Sequence, residues 1–262
     1  MQVKRICEPK TWVFRENRIN NFFFAAYNNG VEEITITQNG FDGRYMSYLY
    51  GKVKERFSFL PAEFDMQKDG EHTEIACKTE RAYCPYVRRF AEENIADVIA
   101  VGYKYAFFEK KLVLPLLSKW QKRLLCTALV AADLKEDRAY ALRRLGGFES
   151  YCLDGVFHFR LRELKRRWED IAEYVPTDMS ESALDGFLEF LAEDGEGKLF
   201  VKGGKVYDEE YRLLSRSKLT GESSVVGEIM LGSAERVYCF GETDGETRSF
   251  LRKYYGDKAV FC

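Results

Sequence analysis

Leu153-Asp154-Gly155-Val156-Phe157-His158-Phe159-Arg160-Leu161 opens the stretch around which the rest of the chain can be read. From Phe157, apolar residues recur at Leu161, Leu164, Trp168 and Ile171, in steps of four, three, four and three. That spacing draws one stripe along an α-helix. Asp154 suits the N-cap, because its carboxylate can accept from the exposed amides of a first turn. Pro176 marks the stop. The expectation is therefore one helix from Asp154 to about Tyr174. Phe159 falls almost opposite the stripe, which predicts a first turn buried on both sides. Arg160 and Arg167 lie one above the other at the stripe's edge, with Glu163 nearby. They read as a solvated ion-pair ladder whose stems cover apolar surface; the sharper reading is an anion contact.

Working outward, Val87, Phe90, Asn94, Val98, Val101, Tyr105, Phe108 and Leu112 step by three or four, so residues 86–114 read as a well-buried helix. Pro115 suits the first turn of the next helix, which Leu117, Trp120, Leu124, Ala128 and Ala131 continue. Shorter helices are expected over Lys135–Leu145 and Ser180–Ala192. Upstream, Val3–Cys7 reads as a strand and Thr11–Tyr27 as a helix. Val31–Thr37 alternates like a half-buried strand, Tyr45–Phe59 fits either a strand pair or a short helix, and His72–Lys78 is a further strand. Downstream, Lys198–Val201 and Lys205–Tyr207 form a hairpin through Gly203-Gly204. Tyr211–Leu219 adds a strand, Ser224–Leu231 a helix, Arg236–Phe240 a strand, Thr247–Tyr255 a helix and Lys258–Cys262 a last strand. The expected fold class is α+β: a central helical bundle flanked by a small N-terminal α/β segment and a C-terminal mixed α/β segment. The boundaries predicted are 1–82, 83–195 and 196–262, the last after the Gly-rich stretch Glu193–Gly197.

The Leu153–Leu161 stretch, with an amphipathic helix after it, resembles the "EGF–two residues–FRL" signature of the YtxC-like family of putative sporulation proteins of endospore-forming Firmicutes. Asp154 stands for the Glu of that signature, and Val156 for its Phe, with Phe157 just beyond. Gly256-Asp257-Lys258-Ala259-Val260-Phe261-Cys262 is similar to the family's ending in "GD–R–V–(aromatic or Ile)–C". The resemblance covers roughly residues 86–262. It implies a bacterial cytoplasmic protein linked to sporulation, and it carries over no catalytic residues.

Composition bounds the remaining options. The chain of 262 residues is 46% hydrophobic and 15% aromatic, with 5 Pro, which is ample for a core and favours regular structure. A net charge of −2 gives no global field that would recruit nucleic acid or acidic membranes. Charge is uneven, though: residues 86–175 carry 17 basic against 13 acidic side chains, and residues 176–262 carry 11 against 17. The N-terminus lacks the apolar core of a signal peptide, and no apolar run approaches a membrane span. The seven cysteines are scattered without a CxxC pair, which predicts a reducing cytosol and mostly buried free thiols. Cys262 is the expected exception.

Candidate chemistry is sparse. His72 and His158 have no Cys or carboxylate at metal-ligand spacing, so neither metal nor cofactor is expected. Gly221–Val225 resembles a nucleophile elbow without its closing glycine. Gly195–Lys198 and Gly203–Lys205 lack the spacing of a phosphate loop. Glu92, Glu93 and Asp97, and likewise Asp208–Glu210, read as solvated acidic faces. Basic clusters at Lys119, Lys122 and Arg123, at Arg143 and Arg144, and at Lys165, Arg166 and Arg167 could grip phosphates if they converged. With Arg160, they are the candidate binding residues. The function expected is non-enzymatic and cytoplasmic, through contacts with an unidentified protein partner and without a membrane. The alternative is nucleic-acid binding through the helical basic clusters.

Overall fold

The computed structural model describes residues 30–40 and 42–262. The expected strand Val3–Cys7 and helix Thr11–Tyr27 lie outside the described residues. The first elements are β1 (Val31–Asn39), α1 (Arg44–Arg56), β2 (Ala62–Asp69) and β3 (His72–Glu80). β1 and β3 pair antiparallel from Val31↔Glu80 to Asn39↔His72, and β2 pairs antiparallel with the other edge of β3. The period of two sends Ile34, Ile36, Ile75 and Cys77 to one buried face. α1 packs on the sheet and settles Tyr45–Phe59 as a helix, with Tyr45, Met46, Leu49 and Val53 buried.

The long helix expected over 86–114 is α2 (Cys84–Asp97), a π-helical stretch (Val98–Tyr103) and α3 (Lys104–Lys111), without a break between them. Its apolar positions on both faces are buried, as the doubled stripe predicts, except Phe90, which is partly exposed. α4 (Lys119–Ala132) starts later than Pro115 suggested, because Ser118 and Gln121 form a capping box there. α5 (Leu134–Leu145) follows, then β4 (Ser150–Cys152), which no period in the sequence announced. β4 pairs parallel with β1 through Ile36↔Tyr151, giving the first sheet the order β2-β3-β1-β4.

The helix expected from Asp154 to Tyr174 is three pieces: a turn at Leu153–Gly155, a π-helical stretch at Val156–Arg160, and α6 (Arg162–Tyr174) beyond a break at Leu161. Phe159 lies opposite the buried stripe, as its spacing placed it, on a side of the turn that faces solvent. It is 72% exposed, which corrects the two-sided burial of that turn. The stripe itself survives: Phe157, Leu161, Leu164 and Trp168 are all buried.

α7 (Glu181–Glu193) leads into the second sheet, built from β5 (Lys198–Lys202), β6 (Lys205–Tyr207), β7 (Arg236–Phe240) and β8 (Ala259–Phe261), with α8 (Val225–Gly232) and α9 (Gly245–Tyr254) as crossovers. Its order is β6-β5-β7-β8. β5 and β6 are antiparallel around Gly203 and Gly204, whose φ of 57° and 70° suits a type I′ turn. β5, β7 and β8 are parallel. The strand expected over Tyr211–Leu219 is absent. An isolated bridge, Tyr207↔Leu213, and a 3-10 turn at Arg216–Thr220 stand in its place. The Glu228 carboxylate accepts from the amides of Arg216 and Ser217 there, which bends the chain away from a strand.

The protein is thus α+β, with two mixed four-stranded sheets and helices between and over them. Buried residues of all three predicted segments join one hydrophobic cluster. Among the described residues, no helix is long and apolar enough to cross a membrane.

Candidate functional site

The Leu153–Leu161 stretch proves to be a structural rivet. Asp154 does not cap a long helix. One oxygen accepts from the Asn39 amide at the end of β1, and the other from the Tyr103 hydroxyl, both at 2.8 Å. Burial first, and then the Asp154 carboxylate, push the Tyr103 hydroxyl well above its ordinary pKa. The Tyr103 ring lies 4.6 Å from Phe157 and 5.1 Å from Tyr45, and Phe157 stacks on Trp168 at 5.8 Å. The two π-helical stretches therefore meet in one aromatic column, Tyr45–Tyr103–Phe157–Trp168. His158 is exposed beside it, and His72 Nδ1 donates to Asn39 Oδ1, 2.9 Å away.

Beneath that column sits a buried ionic knot. Lys104, with a fully buried side chain, places Nζ 2.8 Å from Asp137 Oδ2 and 3.2 Å from Asp133 Oδ2. Trp168 Nε1 donates to Asp137 Oδ2 at 2.8 Å, and Arg167 Nη2 to Asp137 Oδ1 at 3.1 Å. Arg167 is therefore no rung of a solvated ladder; its head is anchored on a buried carboxylate. A second knot joins Asp97, Arg138 and Arg216, with Arg138 Nε at 2.8 Å and Arg216 Nε at 3.3 Å from Asp97 Oδ1. Asp97 is buried, which corrects its reading as part of a solvated acidic face, and Glu92 accepts from the Tyr151 hydroxyl at 2.6 Å. Near this knot, burial raises the pKa of Glu228, against the lowering effect of its Ser217 and Arg216 hydrogen bonds.

The basic candidates divide. Arg143, Arg144 and Arg167 place their guanidiniums 5.9, 5.3 and 5.5 Å from the Tyr140 ring, so two of the three clusters meet at one aromatic. Arg160 lies over Phe148 at 5.2 Å, and Arg166 pairs with Glu163 at 3.2 Å. Lys119, Lys122 and Arg123 sit on α4, where Arg123 stacks on Trp120 and pairs with Glu222. The acids are committed as well: Asp208 and Glu210 each accept from Arg212 at 2.7 Å. Ser224, in the elbow-like stretch, caps α8 by accepting from the Gly227 amide at 3.1 Å.

Among the described residues, no three His, Cys, Asp or Glu side chains gather as metal ligands. Cys77, Cys84, Cys126 and Cys239 are buried free thiols, whereas Cys152 and Cys262 are exposed. A cleft lined by Trp120, Arg123, Glu222 and Ser224 encloses about 30 Å³, room for about one water.

The surface that stands apart is the outer face of the second sheet. In β5, Leu199 and Val201 turn inward while Lys198, Phe200 and Lys202 turn outward; in β7, Val237 and Cys239 turn inward while Arg236, Tyr238 and Phe240 turn outward. The register sets Phe200 beside Tyr238 and Tyr238 beside Val260. Phe200 is the hub: its ring lies 5.7 Å from Tyr238, 6.2 Å from Phe240 and 4.7 Å from Tyr211. The Tyr211 stack is nearly parallel, at 8°. Tyr211 reaches it from a left-handed backbone with φ of 58°, a rare conformation for a residue other than glycine. Tyr211 is 68% exposed and Phe240 40%. The strands were legible in the sequence, but this face was not. Its only signal was the alternation of aromatic or basic with aliphatic residues in Lys198–Lys202 and Arg236–Phe240. No family model, curated protein or solved structure matches the chain.

Proposed function

We propose that this chain is a non-enzymatic, cytoplasmic binding protein of a sporulating cell, of the kind the YtxC-like resemblance implies, and that the outer face of its second sheet is the contact surface. The observation that carries this reading is the ring cluster centred on Phe200, open to solvent at Tyr211 and Phe240. Large exposed aromatics grouped on one rigid sheet mark interaction surfaces. The commitments of the other polar groups support it. Asp137, Asp97 and Glu228 hold the core together, and Arg123, Arg166 and Arg167 each answer a carboxylate of the chain itself. The helical basic clusters are thereby the weaker alternative.

The test is genetic. In an endospore-forming host that encodes the chain, deletion is expected to lower the yield of heat-resistant spores. The wild-type chain should restore it, and a Tyr211→Ala/Phe240→Ala variant, present at wild-type level, should not. Full rescue by that double variant would remove the face from the function.

A further inference from the structure

We infer that the outer face of the second sheet binds single-stranded nucleic acid, its rings stacking on bases and its rim cations meeting phosphates; this rests on the proposed role of that face. The face joins two features that single strands need together. The first is a rigid aromatic platform. Phe200, Tyr238 and Phe240 occupy adjacent positions on two central strands, and Tyr211 extends the stack outward. Every base offers a flat π surface to such rings, whatever the sequence. The second is charge. The strand positions that flank the rings on the same face are Lys198, Lys202, Lys205 and Arg236, all exposed, and no outward strand position on β5, β6 or β7 is acidic.

The acids around the face do not cancel this pattern. Asp208 and Glu210 share the single charge of Arg212, which leaves their loop acidic together with Glu209. Glu235 lies 3.7 Å from Arg236 at the end of β7. The cations that count are therefore Lys198, Lys202 and Lys205, which stand outside these ion pairs. The same cations argue against a second copy of the chain. A two-fold contact is self-complementary, so it would press this set of cations against its twin. A polyanion with flat hydrophobic units satisfies both features at once. The net acidity of residues 176–262 lies mainly on α7, with four acids and no base, and in the loops, whereas α9 carries one acid against three bases.

The experiment is fluorescence anisotropy of the full chain with fluorescein-labelled 12-nucleotide strands of mixed sequence, one RNA and one DNA. A blunt duplex and polyglutamate serve as comparison probes. Micromolar binding to a single strand at low salt is expected, with log affinity falling against log salt at a slope of about −2 to −3, from three or four phosphate contacts. RNA and DNA arms then show which sugar the face prefers. Tyr211→Ala and Phe240→Ala should each weaken binding about tenfold, the range of one base–ring stack. Lys202→Glu should weaken it and flatten the salt slope. Circular dichroism and thermal melting confirm that each variant is folded; because Lys202→Glu leaves the rings in place, it tests the face even if a ring variant unfolds. No binding at 100 µM protein, equal binding to the duplex, or full competition by polyglutamate would each overturn the inference. If binding is absent while Tyr211→Ala/Phe240→Ala still fails to restore spores, the face has a protein partner. The proposed function then stands and this inference falls.

Discussion

Removing Asp137 should be the most damaging single deletion of a polar group in the described structure. Its carboxylate receives Lys104 Nζ, Trp168 Nε1 and Arg167 Nη2 at 2.8, 2.8 and 3.1 Å. In Asp137→Ala, the Lys104 ammonium has no solvent exposure and keeps only Asp133, at 3.2 Å and half in solvent. Breaking a buried pair by removing one partner costs about 3–5 kcal/mol, because the other charge stays buried. The orphaned indole N–H adds a further penalty of about 1–3 kcal/mol that overlaps the first. Against a total stability of about 5–15 kcal/mol, that is a loss near one half. Lys104→Met is the informative contrast. It removes the buried cation, and Asp137 still holds Trp168 and Arg167, so its loss should be at most about half as large. Arg167→Ala, which would be nearly neutral if Arg167 were a rung of a solvated ladder, should cost about 1–2 kcal/mol, since its head bonds a buried carboxylate although the side chain is partly in solvent. Urea unfolding followed by far-UV circular dichroism ranks the three. A loss below about 1 kcal/mol for Asp137→Ala, or a larger loss for Lys104→Met, would refute the view that Asp137 is the charge holding Lys104 in the core.

Gly102→Ala should lower stability by about 1–3 kcal/mol, because an added Cβ would stand 2.5 Å from Tyr45 Cε1 and push that ring off Tyr103; wild-type thermal stability in the variant would rule out this close approach. Glu228, whose folded pKa burial raises, binds more protons folded than unfolded, so its contribution is fullest below its unfolded value of about 4.5 and declines as pH rises through the folded value. The stability gap between wild type and Glu228→Gln should therefore narrow from pH 4 towards neutrality, and a gap constant over that range in parallel denaturant titrations would contradict the raised pKa.

The sequence made legible whatever depended on a single period. Ile34 and Ile36 alternate, Val87 to Leu112 step by three or four, and Gly203-Gly204 closes a hairpin; each element is where its pattern placed it. Failures came where a tertiary partner overrode the local pattern. Phe159 reads as buried because it is a large aromatic opposite the stripe, but that side of the turn faces solvent. Tyr211–Leu219 has strand-like composition, but the buried Glu228 carboxylate draws the amides of Arg216 and Ser217 into a turn. β4 is three residues long, too short for a period, and owes its existence to the waiting edge of β1. Asp97 looked solvated because the cations that bury it, Arg138 and Arg216, come from 41 residues further along and from beyond α7.

The same logic separates the Leu153–Leu161 stretch from the proposed contact surface. Asp154, Phe157, Leu161 and Trp168 all point inward, to Tyr103, Asn39 and Asp137, so a change in any of them acts on stability before it can act on a partner. On the second sheet the division is cleaner. Leu199, Val201, Val237 and Cys239 fill the core side, while Phe200, Tyr238 and Phe240 lie on the opposite side of the same strands. A pattern read only as apolar against polar cannot separate those two sets, because Phe and Tyr count as apolar wherever they point. Aliphatic against aromatic is the informative contrast in these two strands. Branched aliphatic side chains pack a sheet against helices, whereas the flat rings on the open side form the proposed contact face. Conversion of Tyr238 and Phe240 to Thr should therefore leave the Val237 side packed and the chain folded, while removing two of the rings from the face that Phe200, Tyr207 and Tyr211 share.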